Sequence, residues 1–364
     1  MISIAFTGMS TTQKAVLVRR VGQPMDLGER PIPVPGNGEV LVKITATMIL
    51  PHDAYGRDWG MFEFGNKLPF VVGNNIAGVV EKVGPGVSLV RPGERVFGLS
   101  AADEPTPDRA GLQQYALLRD NAIAKTPDGF TDDQVASLPI NVVTAWVSLF
   151  TSSGFGWPAP FSAGAKSSST KSFDAKAQSL VIVAAGSNVG KFAVQMASLA
   201  GVGKIITVAS SSNEDELLQM GATHFFDRHT SLEDIVAKIR AVSGGEGATH
   251  ILDCFNDDFS LAIALLARDG ASHVRTLHPI IDEQAVRFQR ETPMADVRFI
   301  EDLAVPFGPQ AVEFWQHLPE WLQEGKILPT TFRVIEGLEK VNEINAALDH
   351  YMNGTRGRQV IVHP

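Results

Sequence analysis

The run SLVIVAAGSNVGKFAVQMASLAG at residues 179–201 constrains this chain more than any other stretch. An apolar, β-branched segment leads into small residues. Apolar positions at helical spacing follow, which predicts a strand, a tight turn and a helix. Such a turn suits a pyrophosphate, because free backbone N–H groups point out of the helix start and nothing bulky blocks approach. The usual spelling is G-x-G-x-x-G. Here it reads Ala185, Gly186, Ser187, Asn188, Val189, Gly190. Gly190 keeps the third position, where close helix–strand packing needs a glycine. Ser187 is small at the second, and its hydroxyl can add a hydrogen bond. Ala185, with Gly186 beside it, stands at the first. Gly186, Ser187, Asn188, Val189 and Gly190 are therefore candidate pyrophosphate-binding residues. The competing reading is an α/β sheet with an incidental small-residue turn.

The downstream pattern favours the first reading. KIITVAS, THFFD, THILDC and SHVRTL read as strands. NEDELLQMG, LEDIVAKIRAVS and FSLAIALLAR read as the helices between them. Alternation of this kind predicts a parallel sheet with helices on both faces. An NAD site usually carries Asp or Glu at the end of the second strand, to hold the ribose 2′-hydroxyl. This strand instead runs into Ala209, Ser210 and Ser211. Without that carboxylate a 2′-phosphate meets no repulsion. Ser210 and Ser211 offer donors, Arg228 after the third strand offers charge, and the expected cofactor is NADPH. The serines also suit a polar cap on the next helix, and the two roles are compatible.

The N-terminal part is different: KAVLV, VLVKITATMI and VVGNNIAGVVEKVG are β-rich and separated by Pro- and Gly-rich turns, which predicts a compact, mostly β domain. Thr131, followed by Asp132 and Asp133, opens a helical stretch. Residues 151–178 form a Ser-, Ala-, Gly- and Lys-rich insertion without periodicity, read as a mobile surface loop. Trp157 and Phe161 keep a lid or partner-docking role open. The net charge of −9 gives nucleic-acid binding no support. The single cysteine, Cys254, excludes an internal disulfide and a multi-cysteine zinc site, and it suggests a reducing compartment. No run is long and apolar enough for a membrane span, and the N-terminus lacks a secretory pattern, so the expected location is cytoplasmic.

Taken in order, several segments resemble the medium-chain dehydrogenase/reductase superfamily across nearly the whole chain. They are LPFVVGNNIAGVVEKVGPGVSLVRPGERVFG (68–98), GLQQYALL (111–118), ASLPINVVTAW (136–146) and RVIEGLEKVNEINAALDHYMNGTRGRQVIV (333–362). The resemblance implies an α/β fold: a GroES-like β-rich catalytic domain (1–139 and 320–364) plus a Rossmann domain with a doubly wound parallel sheet (140–319). Zinc members of that superfamily use a Cys in the first catalytic loop and a His-Glu pair in a G-H-E motif. Here Leu50 falls at the Cys, and the motif reads Gly73, Asn74, Asn75. No metal is expected, and His52 is an isolated loop histidine. PHDAYGRDWG (51–60) resembles the N-P-x-D-x-Y-x-R-x-G loop of quinone oxidoreductases, with Leu50 replacing the usual Asn. The insertion and the ATHILDCFND and EGKILPTTFRVIEG segments resemble fungal reductases of secondary metabolism, including trans-acting enoyl reductases that serve polyketide synthases.

The resemblance implies hydride transfer from NADPH to a conjugated C=C. The substrate would be a small-molecule or carrier-bound unsaturated acyl compound, and a polyketide synthase is the implied partner. Two alternatives stay open: a quinone or ketone reductase acting on a free small molecule, and a non-redox binding subunit on the same fold. Monomer and homodimer are both compatible with the sequence. By carry-over, Thr144 lies near the nicotinamide or its ribose, and Leu277 and His278 flank the nicotinamide. Tyr55 is the candidate proton donor, with an orienting aromatic as its alternative. Asp53 fits backbone hydrogen bonding better than chemistry. Cys254, at the end of a predicted buried strand, is expected to be a small core side chain.

Overall fold

The computed structural model describes residues 11–61, 66–100, 106–162, 173–244, 247–255, 258–266, 272–278, 280, 282–291, 294–300, 308–353 and 359–364. The chain divides into two compact units. One comprises Met1–Ile140, Phe307–Glu320 and Pro329–Pro364; the other comprises Asn141–Pro306 and Trp321–Leu328.

The first unit is mostly β. Its strands are β1 (Thr12–Leu17), β2 (Asp26–Pro31), β3 (Glu39–Ile49), β4 (Asn75–Val83), β5 (Arg95–Leu99), β6 (Tyr115–Arg119) and β7 (Ile123–Lys125). Between β3 and β4 lies α1 (Pro51–Trp59), and after β7 come α2 (Asp132–Ala136) and α3 (Pro139–Phe150), which from Asn141 on belongs to the second unit. β1 and β2 pair as a hairpin. The chain returns late to complete a seven-stranded sheet, described with its last strands below. Buried Val40, Val42, Ile44, Ile76, Val80 and Val96 fill one core of this sheet. Gly78 on β4 is obligatory, because an added Cβ would lie 2.1 Å from the Lys43 carbonyl oxygen.

The second unit alternates strand and helix: β8 (Ser179–Val183), α4 (Asn188–Leu199), β9 (Lys204–Ala209), α5 (Glu214–Gln219), β10 (His224–Asp227), α6 (Leu232–Ser243), β11 (His250–Asp253), α7 (Ser260–Leu265), β12 (His273–Thr276), α8 (Asp282–Glu291) and β13 (Asp296–Phe299). All six strands are parallel, in the order β10-β9-β8-β11-β12-β13. In chain order within the unit this is 3-2-1-4-5-6, the doubly wound arrangement that places a crevice where the order reverses, between β8 and β11. Val181, Val183, Ile206, Val208, Ile251 and Val274 bury one side of the sheet. The chain then runs through α9 (Pro309–Gln323), β14 (Phe332–Glu336), α10 (Val341–Met352) and β15 (Gln359–His363). β15 joins β3, so the first unit's sheet reads β14-β15-β3-β4-β5-β7, with β6 also on β3.

Three sequence expectations change. Residues 51–60, read as a loop, form α1. Pro51 presets the helical φ at its start, the Asp53 carboxylate accepts the Leu50 N–H at 2.8 Å, and Gly60 ends it in the left-handed region at φ 66°. FQRETPMADVRF (288–299), read as a loop, carries the end of α8 and all of β13; β13 is a short edge strand of mixed polarity, too brief for periodicity to reveal. Within the insertion, residues 163–172 lie outside the described residues, but its flanks are packed. Trp157 is buried and meets Phe155, Phe173 and His250, with ring centroids 5.0–5.7 Å away. Phe161 stacks on Trp321 at 6.1 Å.

Candidate cofactor and catalytic sites

The turn after β8 is held from several directions. Ala184 adopts φ 56°, a left-handed conformation that costs a non-glycine residue about 1 kcal/mol. The Ala185 N–H donates to the Val208 carbonyl at 3.0 Å, which ties the turn to β9. Ser187 caps α4, its hydroxyl accepting the Gly190 N–H at 3.1 Å. The hydroxyl expected to meet a phosphate is thus already placed at the helix mouth by its capping bond. Gly190 shows why the third glycine survives: an added Cβ would lie 2.7 Å from the Ala185 Cα and oxygen, and 2.8 Å from the Ala184 oxygen. The cradle is narrow by backbone geometry, and the residues present fit a pyrophosphate.

Beyond β9, the Ser210 hydroxyl accepts from Arg228 Nε at 2.8 Å. Arg228 is exposed, and its own N–H is fixed on the Ala209 carbonyl at 2.8 Å. Ser211 is exposed beside them in a short 3-10 turn. Ser210, Ser211 and Arg228, separate in sequence, therefore come together at the ends of β9 and β10. Their donors suit a 2′-phosphate. Sequence reasoning missed Asn213. Its carboxamide lies 2.9 Å from where a Gly186 Cβ would stand, so it covers the turn, and it donates to the Ser210 carbonyl at 3.2 Å. Only its place at the start of α5 could have signalled this. Lys191, also missed, ties α4 to α5 through Glu216 at 2.7 Å.

At the ends of β11 and β12, the Cys254 N–H donates to the Val183 carbonyl at 3.1 Å and the Leu277 N–H to the Asp253 carbonyl at 3.1 Å. The Cys254 side chain is buried, as expected, and hydrogen-bonds Ser187; burial and the neighbouring Asp253 carboxylate push its thiol up strongly. His278 is fixed by its N–H on Thr276 Oγ1 at 3.0 Å, and its ring meets Phe255 edge-on. Pro279 lies outside the described residues. Thr144 belongs to the second unit as well. On α3 it is half-buried, while Asn141–Val143 and Ala145–Phe150 are buried.

Tyr55 and the residues around it belong to the first unit. Tyr55 is half-buried and stacks on Trp59, one turn on, at 4.9 Å and 6°. Burial raises its hydroxyl pKa, so it stays protonated through neutral pH. Asp53 is fully buried, and its second oxygen accepts the Gly73 N–H at 2.9 Å. Burial raises its pKa against the nearby His52 and these two backbone bonds. His52 is half-buried, with Nε2 2.9 Å from Asn74 Oδ1. Buried Asn75 is occupied at both ends of its amide: Nδ2 donates to the Ala136 carbonyl at 3.1 Å, and Oδ1 accepts the Ile140 N–H at 2.9 Å. Leu50, Asn74 and Asn75 are not a donor set for Zn²⁺, which binds Cys, His and carboxylate groups. Among the described residues, no three His, Cys, Asp or Glu side chains converge to hold a metal ion.

A parallel doubly wound sheet with a small-residue turn after its first strand, together with a β-rich unit, is the arrangement of nucleotide-dependent oxidoreductases. The alcohol dehydrogenase GroES-like domain family matches residues 36–128, and the zinc-binding dehydrogenase family matches residues 188–288. The trans-enoyl reductase tndF of Aspergillus flavipes is 28% identical over 97% of this chain and 99% of its own length. The trans-enoyl reductase tazE of Aspergillus terreus is 33% identical over 68% of this chain and 79% of its own. The structure of mycobacterial Rv1454c complexed with NADPH aligns with TM-score 0.71 at 21% identity, covering 97% of this chain and all of the other. The chain belongs to the medium-chain dehydrogenase/reductase superfamily and resembles its fungal enoyl reductases.

Proposed function

We propose that this protein is an NADPH-dependent reductase that works without a metal and delivers hydride to the β-carbon of an α,β-unsaturated carbonyl compound. One observation carries the cofactor choice: the Ser210 hydroxyl is bonded to Arg228 at 2.8 Å where an NAD site would hold a carboxylate. The NADPH complex of a protein with the same fold supports it. The two trans-enoyl reductase relatives support the substrate class. The backbone N–H groups around Ser187–Gly190 would hold the pyrophosphate, and Ser210, Ser211 and Arg228 the 2′-phosphate. Thr144, Leu277 and His278 would border the nicotinamide. Bound NADPH supplies the hydride.

With Leu50, Asn74 and Asn75 unsuited to zinc, carbonyl polarisation falls to hydrogen-bond donors. A conjugated carbonyl suits weak polarisation, because charge spreads onto oxygen as an enolate. The Tyr55 hydroxyl is protonated and makes no hydrogen bond to a described residue, so it is free to donate the proton that the α-carbon takes up. A Tyr55→Phe rate within about threefold of wild type would remove Tyr55 as an obligatory acid, since general acid catalysis contributes about 10²-fold or more.

The deciding assay follows NADPH and NADH consumption with an enoyl thioester, an enone and a quinone. Turnover of the enoyl thioester or enone, with NADPH preferred, is expected. Turnover of the quinone alone would favour the second reading, which the resemblance of residues 51–60 to quinone oxidoreductases supports. Failure to bind NADPH would favour a non-redox binding subunit. A carrier-tethered substrate and a polyketide synthase partner complete the proposal, tested by pull-down with the synthase; the assembly, monomer or homodimer, is read by sedimentation. Among the described residues no helix is long and apolar enough to cross a membrane; a cytoplasmic location is proposed from the lone cysteine.

A further inference from the structure

Phe255 is a large apolar side chain left 49% exposed immediately after β11. It is held in place from three sides. Its N–H donates to Asp253 Oδ1 at 3.2 Å. The preceding residue, Cys254, is tied to β8 through the Val183 carbonyl at 3.1 Å. Its ring meets the His278 ring edge-on, with centroids 4.8 Å apart at 79°, and His278 is itself pinned by Thr276. An exposed ring with a fixed orientation at a sheet's switch point is a ready stacking surface. The side of the crevice is also defined. Ser210 and Arg228 assign the 2′-phosphate to the β9–β10 side, so a dinucleotide spanning the crevice places its other nucleoside on the β11–β12 side.

We infer that Phe255, steadied by His278, is the aromatic wall against which the nicotinamide nucleoside half of the cofactor packs. This rests on the NADPH reading proposed above. Phe255 acts by contact and orientation and takes no part in proton transfer. Base–aromatic stacking is lost on truncation to alanine, so affinity for the whole cofactor falls while affinity for its adenosine half does not.

The test titrates wild type, Phe255→Ala, Phe255→Tyr and His278→Ala with NADPH, reading reduced-nicotinamide fluorescence, and separately with 2′,5′-ADP, which carries only the adenosine half. Phe255→Ala is expected to weaken NADPH binding about tenfold, leave 2′,5′-ADP binding unchanged and diminish the fluorescence change on binding; a tenfold change is about 1.4 kcal/mol. Phe255→Tyr restores binding, and His278→Ala produces a smaller loss of the same kind. An equal loss for both ligands, or no loss for either, overturns the inference while leaving the cofactor reading intact. Wild-type protein that binds neither ligand overturns both. The half-exposed position keeps the unliganded melting temperature of each variant near wild type, and that measurement excludes misfolding as the cause of a loss.

Discussion

Gly190→Ala is the sharpest test of the phosphate cradle. The added methyl would stand 2.7 Å from the Ala185 Cα and oxygen and 2.8 Å from the Ala184 oxygen. All three are backbone atoms, so no side chain can swing away. The turn must move outward by several tenths of an ångström, in a segment already carrying Ala184 at φ 56°. Overpacking of this kind costs about 1–3 kcal/mol, and the unliganded melting temperature should fall by roughly 2–10 °C. The same displacement misplaces the amides that would face the pyrophosphate, and a tenfold loss of NADPH affinity is expected. At NADPH one hundred times the wild-type Kd, wild type gains about 2.7 kcal/mol, and a variant ten times weaker gains about 1.4 kcal/mol. Calorimetry with and without NADPH separates the two effects. Gly186→Ala is the control. Its methyl would meet only the Asn213 carboxamide, at 2.9 Å, and that side chain can rotate, so the loss should be smaller. Wild-type stability and affinity in Gly190→Ala, or a worse outcome for Gly186→Ala, would refute this account of the turn.

Arg228→Ala should lower the preference for NADPH over NADH by about tenfold, measured as the ratio of kcat/KM values, without weakening NADH binding. Asn75→Leu strips partners from the Ala136 carbonyl and the Ile140 N–H together, and a loss of about 2–4 kcal/mol in urea unfolding is expected. His363 bridges Asp133 at 2.6 Å and Glu336 at 2.9 Å. Burial opposes its charge, but these two carboxylates outweigh it and raise its pKa. Its contribution to stability is therefore complete below the unfolded histidine pKa of about 6.5 and is lost as pH rises through the raised folded value. His363→Gln should flatten that decline in melting temperature against pH.

Long-range order was legible where a pattern repeated. The alternation from LVIVAA to SHVRTL predicted a parallel sheet with helices on both faces, and the six-stranded sheet has that form. Thr131 was legible as a cap because its demand is local: its hydroxyl accepts the Gln134 N–H at 3.2 Å. Legibility failed where a few residues decide. β13 has four residues with none fully buried, so no apolar period marks it. α1 has only nine residues with Gly56 in its interior, which weakens any helical signal, and the resemblance of the segment to the quinone oxidoreductase loop points to a loop. Its stability is tertiary: buried Arg57 holds Asp349 on α10 at 2.6 Å. Asn213 and Phe255 were missed for a related reason. Nothing in their own segments marks them, and their contacts arise only when neighbouring strand ends converge.

Leu50, Asn74 and Asn75, at the positions compared with zinc ligands, are engaged in other ways. A buried asparagine in the third position of a G-N-N run would be costly if its amide had no partners. Asn75 instead spends both ends on backbone groups flanking the α2–α3 junction. Asn74 takes up His52, and Gly73, at φ 107°, offers its N–H to Asp53. The segment that holds a zinc in zinc members of the superfamily is here a set of hydrogen bonds bracing α1, with the buried Asp53 side chain among the acceptors. That bracing has a chemical consequence under the proposed mechanism. A helix pinned at Leu50 and Gly73 by one buried carboxylate, and at Asp349 by Arg57, presents the Tyr55 and Trp59 rings as a rigid stacked pair. Rigid placement of a proton donor lowers the reorganisation needed when charge develops on a substrate oxygen or carbon. On that proposal, positioning would supply part of what a Lewis acid supplies in zinc members.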